Sequence, residues 1–227
     1  MAKAYFVTGT DTDVGKTLIA AGLLAAANAK GLSTAALKPV AAGCELTSTG
    51  LRNADALLLQ RVMSLDLPYE QINPVALAPA IAPHIAAAQA GLKLSVDRLA
   101  GICRGVLMQR ADLTLVEGAG GWRVPLNSRE FLSRLAVELQ LPVILVVGMR
   151  LGCINHAVLT AEAIARDGLR LAGWVANRCQ AELGCYEENV QTLKSLLPAP
   201  CLGEVPYLAT PEPERIAVHL NCDPLVS

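Results

Sequence analysis

Residues Tyr5 to Leu18 constrain the fold more than any other stretch of this chain. Tyr5-Phe6-Val7-Thr8 is an apolar strand, Gly9 to Val14 a small polar loop, and Gly15-Lys16-Thr17 leads into an Ala/Leu-rich helix at Leu18. Strand, loop, Gly-Lys-Thr, helix is the layout of a phosphate-binding P-loop. The loop N–H groups and the helix N-terminus make an anion site. Lys16 is placed to reach β- and γ-phosphates, and the Thr17 hydroxyl to bind Mg²⁺. The ligand class this predicts is a nucleoside triphosphate. The usual motif sets its first glycine one residue closer to Gly-Lys. Here Thr10 to Val14 separate Gly9 from Gly15, and Thr10 stands where that glycine belongs.

Apolar strand patterns alternate with helical ones along the whole chain. Strands are expected at Ala4–Thr8, Thr34–Lys38, Leu113–Glu117, Val143–Gly148, Leu171–Asn177 and Cys201–Pro206. Helices are expected at Lys16–Ala29, Ala54–Met63, Pro83–Ala90, Val96–Gln109, Glu130–Leu139, Ile154–Asp167 and Tyr186–Leu196. Unbroken apolar strands such as Val143-Ile144-Leu145-Val146-Val147 imply burial on both faces, as in a parallel sheet. The alternation therefore predicts an α/β fold: one P-loop NTPase-like domain over residues 1–227, with a doubly wound, mostly parallel sheet flanked by helices. The Pro-rich segment Leu67 to Pro83 reads as an ordered loop over a site at the carboxyl ends of the strands. Pro211-Glu212-Pro213-Glu214 breaks whatever element precedes it.

Charge and cysteine content narrow the partners. With 19 basic and 20 acidic side chains the net charge is −1, which gives no electrostatic reason for nucleic acid or a membrane surface. The longest strongly apolar run, Val143 to Val147, is too short to span a bilayer. Met1-Ala2-Lys3 passes directly into a strand, so no signal peptide is expected. The 7 cysteines include no Cys-x-x-Cys pair, which suits reduced thiols in the cytoplasm.

In a doubly wound sheet the functional groups belong at the carboxyl ends of the strands. The second strand ends at Lys38-Pro39, which aims the ammonium at the same rim as Lys16; a solvated lysine is the plainer alternative. The third ends at Glu117-Gly118-Ala119-Gly120-Gly121. A carboxylate there suits the second acidic metal ligand of a P-loop enzyme, and the glycines permit close backbone approach. Capping a loop is the plainer role for Glu117. Asp55 opens a helix, so on composition alone a helix cap is as good an account as metal binding. Gly148 to His156 follows the strongest strand and opens a helix whose free N–H groups suit a carboxylate. Asn177 ends another strand and is placed to read a base edge, while His156 has the setting of a structural histidine.

Together these segments resemble the dethiobiotin synthetases. The matching pieces are Val7 to Thr17, Lys38-Pro39-Val40, Gly50 to Asp55, Asn73-Pro74, Pro83-His84, Val116 to Gly121, Pro142 to Gly148, Leu151 to His156 and Leu202 to Pro206. The long P-loop spacing is that family's variant. The resemblance implies a P-loop enzyme that joins 7,8-diaminononanoate, CO₂ (or bicarbonate) and ATP, with Mg²⁺, into dethiobiotin. It implies Lys16 and Lys38 as catalytic groups and Thr17, Asp55 and Glu117 as Mg²⁺ ligands. Asp13, Val14, Gly15, Lys16, Thr17 and Leu18 would wrap the phosphates, with Gly118, Ala119 and Gly120 nearby. Asn177, Arg178, Pro206, Tyr207, Leu208 and Glu212 would hold the nucleoside. Thr12, Lys38 and Ala42 would meet the diamine. Its carboxylate would lie at Gly152, Cys153 and Asn155 of a second subunit in a homodimer. Three positions depart from the family pattern: Ala42 where serine is common, Arg178 where an acidic residue is common, and Asn189 where tyrosine is expected, with Tyr186 one turn earlier.

Rival readings have weaker support. Partitioning and metal-insertion ATPases carry a signature lysine where Thr10, Asp11 and Thr12 stand here. GTPase switches read guanine with Asn-Lys-x-Asp, whereas Asn177 is followed by Arg178-Cys179-Gln180. Amidotransferases of the cobyrinate type append a glutaminase domain for which 227 residues leave no length.

Overall fold

A computed structural model of the chain describes residues 3–226. The expectation about a leader rests partly on Met1 and Ala2, which lie outside the described residues. The first half runs β1 (Lys3–Gly9), α1 (Lys16–Asn28), β2 (Thr34–Leu37), β3 (Val40–Ala42), β4 (Glu45–Thr47), β5 (Gly50–Arg52), α2 (Ala54–Val62), α3 (Tyr69–Ile72), β6 (Val75–Leu77), α4 (Pro83–Gln89) and α5 (Val96–Leu107). The second half runs β7 (Leu113–Glu117), α6 (Ser133–Glu138), β8 (Val143–Met149), α7 (Cys153–Arg166), β9 (Leu171–Arg178), α8 (Tyr186–Leu196), β10 (Cys201–Val205), α9 (Pro213–Ala217) and α10 (Asp223–Val226).

All six strands expected from the sequence join one parallel sheet in the order β10-β9-β8-β1-β7-β2. β8 is buried along its full length and β7 likewise, as continuous apolar strands between two helical layers require. β1 sits at the reversal of strand order, with β7 on one side and β8 on the other, which is where ligands bind in open α/β sheets. The register then sets the site: Val7 lies opposite Glu117, and Leu37 opposite Val116, so Lys38 follows β2 at the level of Glu117.

α1 is apolar on nearly every side because it is covered on nearly every side. The chain after Pro211 supplies the outer cover. Pro213 takes the first turn of α9, where its missing N–H costs nothing, and Ile216 packs against α1 at Gly22. A Cβ at Gly22 would stand 2.5 Å from Ile216 Cγ2. The breaker segment thus starts an element as well as ending one.

Two differences from the sequence reading have simple causes. The helix expected from Glu130 begins at Ser133, because Glu130 is held in a turn in which its backbone N–H donates to Asn127 Oδ1 at 3.0 Å. Strands β3 to β6 have three residues each, too few for a period of two to show. β6 and α3 also turn the Pro-rich segment into ordered structure, whose end, Ala80 to Pro83, lines the main cavity.

Candidate active site

The P-loop is built around Val14. Its side chain fills a slot that exists only because Gly9 and Gly148 lack a Cβ; added ones would come to 2.5 Å and 2.6 Å from the Val14 methyls. The extra residue of the loop is thereby used as an anchor. Gly15 then takes the left-handed conformation, φ 85°, and starts α1. Asn177, near the end of β9, donates Nδ2 to Val14 O at 2.8 Å and ties the loop to a strand two places along the sheet from β1.

Beside the loop lies a cavity of about 910 Å³. It gathers Thr12, Asp13, Gly15, Lys16, Thr17 and Leu18 from the loop and α1, Lys38 from the link between β2 and β3, Ala42 from β3, Asp55 from α2, and Glu117, Ala119 and Gly120 from the end of β7 and beyond. Lys38 is buried and paired with both carboxylates, with Asp55 Oδ2 at 2.9 Å and with Glu117 Oε1 in closer contact. Burial opposes its charge, but Glu117 and Asp55 outweigh this and hold its pKa above the ordinary lysine value. Lys16 goes the other way: burial lowers its pKa, Glu117 raises it in part, and the Lys38 charge lowers it again. Its Nζ donates to Asp11 O at 3.0 Å.

Thr17 Oγ1 donates to Glu117 Oε1 at 2.8 Å, while Glu117 Oε2 is buried with no hydrogen-bond partner among the described residues. An orphaned carboxylate oxygen beside a hydroxyl and a second carboxylate fits a divalent cation. The Lys38 ammonium already stands as a cation between Asp55 and Glu117. Among the described residues, no three or more His, Cys, Asp or Glu side chains gather into a metal cage. A hydroxyl and two carboxylates suit Mg²⁺ instead, which takes one or two carboxylates and completes its shell with phosphate and water.

A second pocket, about 190 Å³, adjoins the first through Asp13, Gly15 and Leu18. Asn177, Arg178, Pro206, Tyr207 and Leu208 line it, with Pro211 and Ile216. Its mostly apolar lining suits a base.

A family model described as an AAA domain matches residues 3–215. The ATP-dependent dethiobiotin synthetase BioD of Cellvibrio japonicus (strain Ueda107) is 62% identical over 99% of this chain and 98% of its own length. That of Pseudomonas paraeruginosa (strain DSM 24068 / PA7) is 64% identical over 98% and 97%. The chain belongs to the dethiobiotin synthetase family. Among solved structures, the MinD cell division protein of Aquifex aeolicus has the same fold, with a TM-score of 0.55 over 99% of this chain and 92% of that one at 16% identity.

Some residues that the resemblance assigns to the family's site do not line these two pockets, as expected for Gly152, Cys153 and Asn155 if they serve a second subunit. Gly152, Cys153 and Asn155 start α7 and line neither pocket; Gly152 and Asn155 are exposed and Cys153 is buried. Glu212 caps α9 and pairs with Arg61 at 3.4 Å, outside the small pocket. Gly118 serves the fold: its N–H donates to Val7 O at 2.9 Å, and a Cβ would meet the Phe6 ring at 3.0 Å. Asp55 is not the cap of α2. Asn53 is, accepting from Asp55 N and Ala56 N, which frees the Asp55 carboxylate to face Lys38. Sequence reasoning missed Arg123, Val124 and Pro125 on the cavity wall. Arg123 is held by a two-pronged pair with Asp167, at 2.7 and 2.9 Å, and Asp167 also accepts from Trp122 Nε1 at 2.8 Å. The partners are 44 residues apart, so no local motif announces them.

Proposed function

We propose that this chain is an ATP-dependent dethiobiotin synthetase: it carboxylates 7,8-diaminononanoate with CO₂ and closes the cyclic urea of dethiobiotin, releasing ADP and phosphate, as a step of biotin biosynthesis. The observation that carries the reading is the convergence of Lys16, Lys38, Thr17, Asp55 and Glu117 on one cavity in a chain 62–64% identical to dethiobiotin synthetases.

One amine of the diamine takes up CO₂ and loses a proton, giving a carbamate. A carbamate oxygen attacks the γ-phosphorus, the bond to the β-phosphate oxygen breaks, and ADP leaves. The second amine attacks the carbonyl carbon of the resulting carbamic–phosphoric anhydride, expels phosphate and gives up a proton. The difficulty is electrostatic, since an anion must approach an anion. Lys16 and Lys38 both line the cavity, so their ammonium groups would neutralise the two reactants and hold them in line. Thr17, Asp55 and Glu117 would hold Mg²⁺, which supplies further neutralisation of the phosphate oxygens. The loop N–H groups from Asp13 to Leu18 cradle the phosphates, and Asn177 with Pro206, Tyr207 and Leu208 takes the adenine.

We read residues 1–227 as one domain working as a homodimer in the cytoplasm. The dimer reading is supported by the start of α7, which has no acidic residue in its first turn and no side-chain cap. Its free N–H groups suit a carboxylate, line neither pocket of their own chain, and suit the cavity of a second subunit. The cytoplasmic reading is supported by seven cysteines that are all free and by the lack, among the described residues, of a helix long and apolar enough to cross a membrane.

The test is ADP release followed with ATP, Mg²⁺, bicarbonate and diamine, each omitted in turn. Release that needs both bicarbonate and diamine, with dethiobiotin identified by mass, is the expected result. Turnover indifferent to the diamine would overturn the reading.

A further inference from the structure

Tyr69 lines neither pocket, yet its hydroxyl joins the supports of two site residues. It donates to Asn73 Oδ1 at 3.0 Å and accepts the Asn53 backbone N–H at 2.7 Å. Asn73 in turn donates Nδ2 to Lys38 O at 2.7 Å, and Lys38 N donates to Ile72 O at 2.8 Å, so the lysine's main chain is held on both sides from this segment. On the other side, Asn53 caps α2 by accepting from Asp55 N at 3.1 Å and Ala56 N at 3.3 Å. Tyr69, Asn53 and Asn73 are all buried. Water is therefore no ready substitute for a missing partner.

The relay thus runs from the Lys38 main chain through Asn73, Tyr69 and Asn53 to the first turn of α2, which carries Asp55. Lys38 follows one element and Asp55 belongs to another. Their side chains meet at 2.9 Å, and the Tyr69 hydroxyl links the groups that hold their main chains, beside a direct bond from Asn53 Nδ2 to Ala42 O at 3.3 Å. The Arg52 guanidinium covers the Tyr69 ring at 4.1 Å and fixes its plane. Burial raises the pKa of this phenol, and the Asn53 N–H lowers it only in part. The hydroxyl accordingly stays protonated and keeps its donor role.

We propose that Tyr69 is a positioning residue that sets the placement of Lys38 against Asp55, and through it the presentation of both to Mg²⁺-nucleotide. The proposal rests on the roles given to those two residues above. A buried hydroxyl that only filled space would affect stability alone. One that spaces a lysine against a cation ligand affects how much Mg²⁺ adds to nucleotide affinity.

Tyr69→Phe keeps the ring and the Arg52 stack and removes only the hydroxyl. By calorimetry without divalent cation, its ATP affinity is expected to stay close to wild type. The gain in affinity on adding Mg²⁺ should fall by about 10-fold, and kcat with the diamine by about 10-fold, the usual size for a lost supporting hydrogen bond. Asn73→Ala cuts the same relay one step nearer Lys38 and should give the same loss, and it serves where Tyr69→Phe fails to fold. The double variant should be no worse than either single one. A lowered Tm with an unchanged Mg²⁺ gain would overturn the proposal. The calorimetry needs no diamine, so this failure is distinct from a wild-type protein that ignores the diamine, which would instead overturn the proposed function.

Discussion

Lys38 shows how one residue ties stability to chemistry. Its ammonium lies between Asp55 and Glu117, and the Glu117 side chain is fully buried. Removing the lysine leaves two carboxylates facing each other with no counter-ion, one of them out of water. Breaking a buried pair in this way costs about 3 kcal/mol. We therefore expect Lys38→Met to lower the Tm of the free protein and to recover much of it with Mg²⁺ and nucleotide, which restore positive charge to the carboxylates. Turnover of the diamine should fall by about 100-fold or more, as when one preorganised electrostatic contact to a reacting group is lost. Nucleotide affinity should be retained, because the proposed phosphate contacts belong to the loop and Lys16. Calorimetry, thermal melts and steady-state kinetics on one preparation separate these effects. Lost ATP affinity without a turnover defect would contradict the role given to Lys38.

At the scale of elements, the phosphate loop depends on three glycines, Gly9, Gly15 and Gly148, and one amide, Asn177. Gly15 is left-handed at φ 85°, and a Cβ on it would run into the Asn177 side chain, which holds Val14 O. Gly15→Ala meets both obstacles at once. Strain of this kind costs about 1–3 kcal/mol. Nucleotide affinity by titration calorimetry should accordingly drop by roughly 10- to 100-fold. Wild-type affinity in the Gly15→Ala variant would mean the loop does not need this geometry. Element by element, the sequence made the β1–α1 unit and the six sheet strands legible, because long apolar runs and Gly-Lys-Thr are local signals. It also made Lys38 and Glu117 legible, since each closes an uncharged strand. It could not show that Asn53, and not Asp55, caps α2, because both residue types cap helices equally well. Nor could it show the Asn53–Tyr69–Asn73 relay or the Asp167–Arg123 pair, whose partners meet only once the chain is folded. The short strands β3 to β6 and the helix α9 behind Pro213 were hidden for the plainer reason of length.

At the scale of the whole molecule, the question is where the substrate carboxylate goes. The cavity offers Lys16, Lys38 and the half-exposed Arg123, whose charge is already matched by Asp167. The two lysines are committed to phosphate and carbamate in the proposed reaction. α7 has no acidic residue in its own first turn, and Leu151 beside it is 96% exposed, an apolar side chain that the proposed second subunit would cover. In the proposed two-fold dimer that start would lie over the partner's cavity and the reverse, so that each site would be built from two chains. This has a consequence that no single-chain site shares. Lys38→Met should inactivate the cavity, and Asn155→Asp the carboxylate end, by adding negative charge where the substrate carboxylate is proposed to bind. Each variant alone should be nearly inactive. Mixed one to one, dissociated and reassociated, about half of the dimers carry one chain of each kind. In those dimers both lesions fall on one site and the other site is intact, so activity should return to about a quarter of wild type. The mass in solution should be twice the 23.8 kDa of the chain. A mixture that stays inactive while the protein remains dimeric would mean that cavity and carboxylate site belong to the same chain, and the substrate would then have to be held by Arg123 and the walls around it.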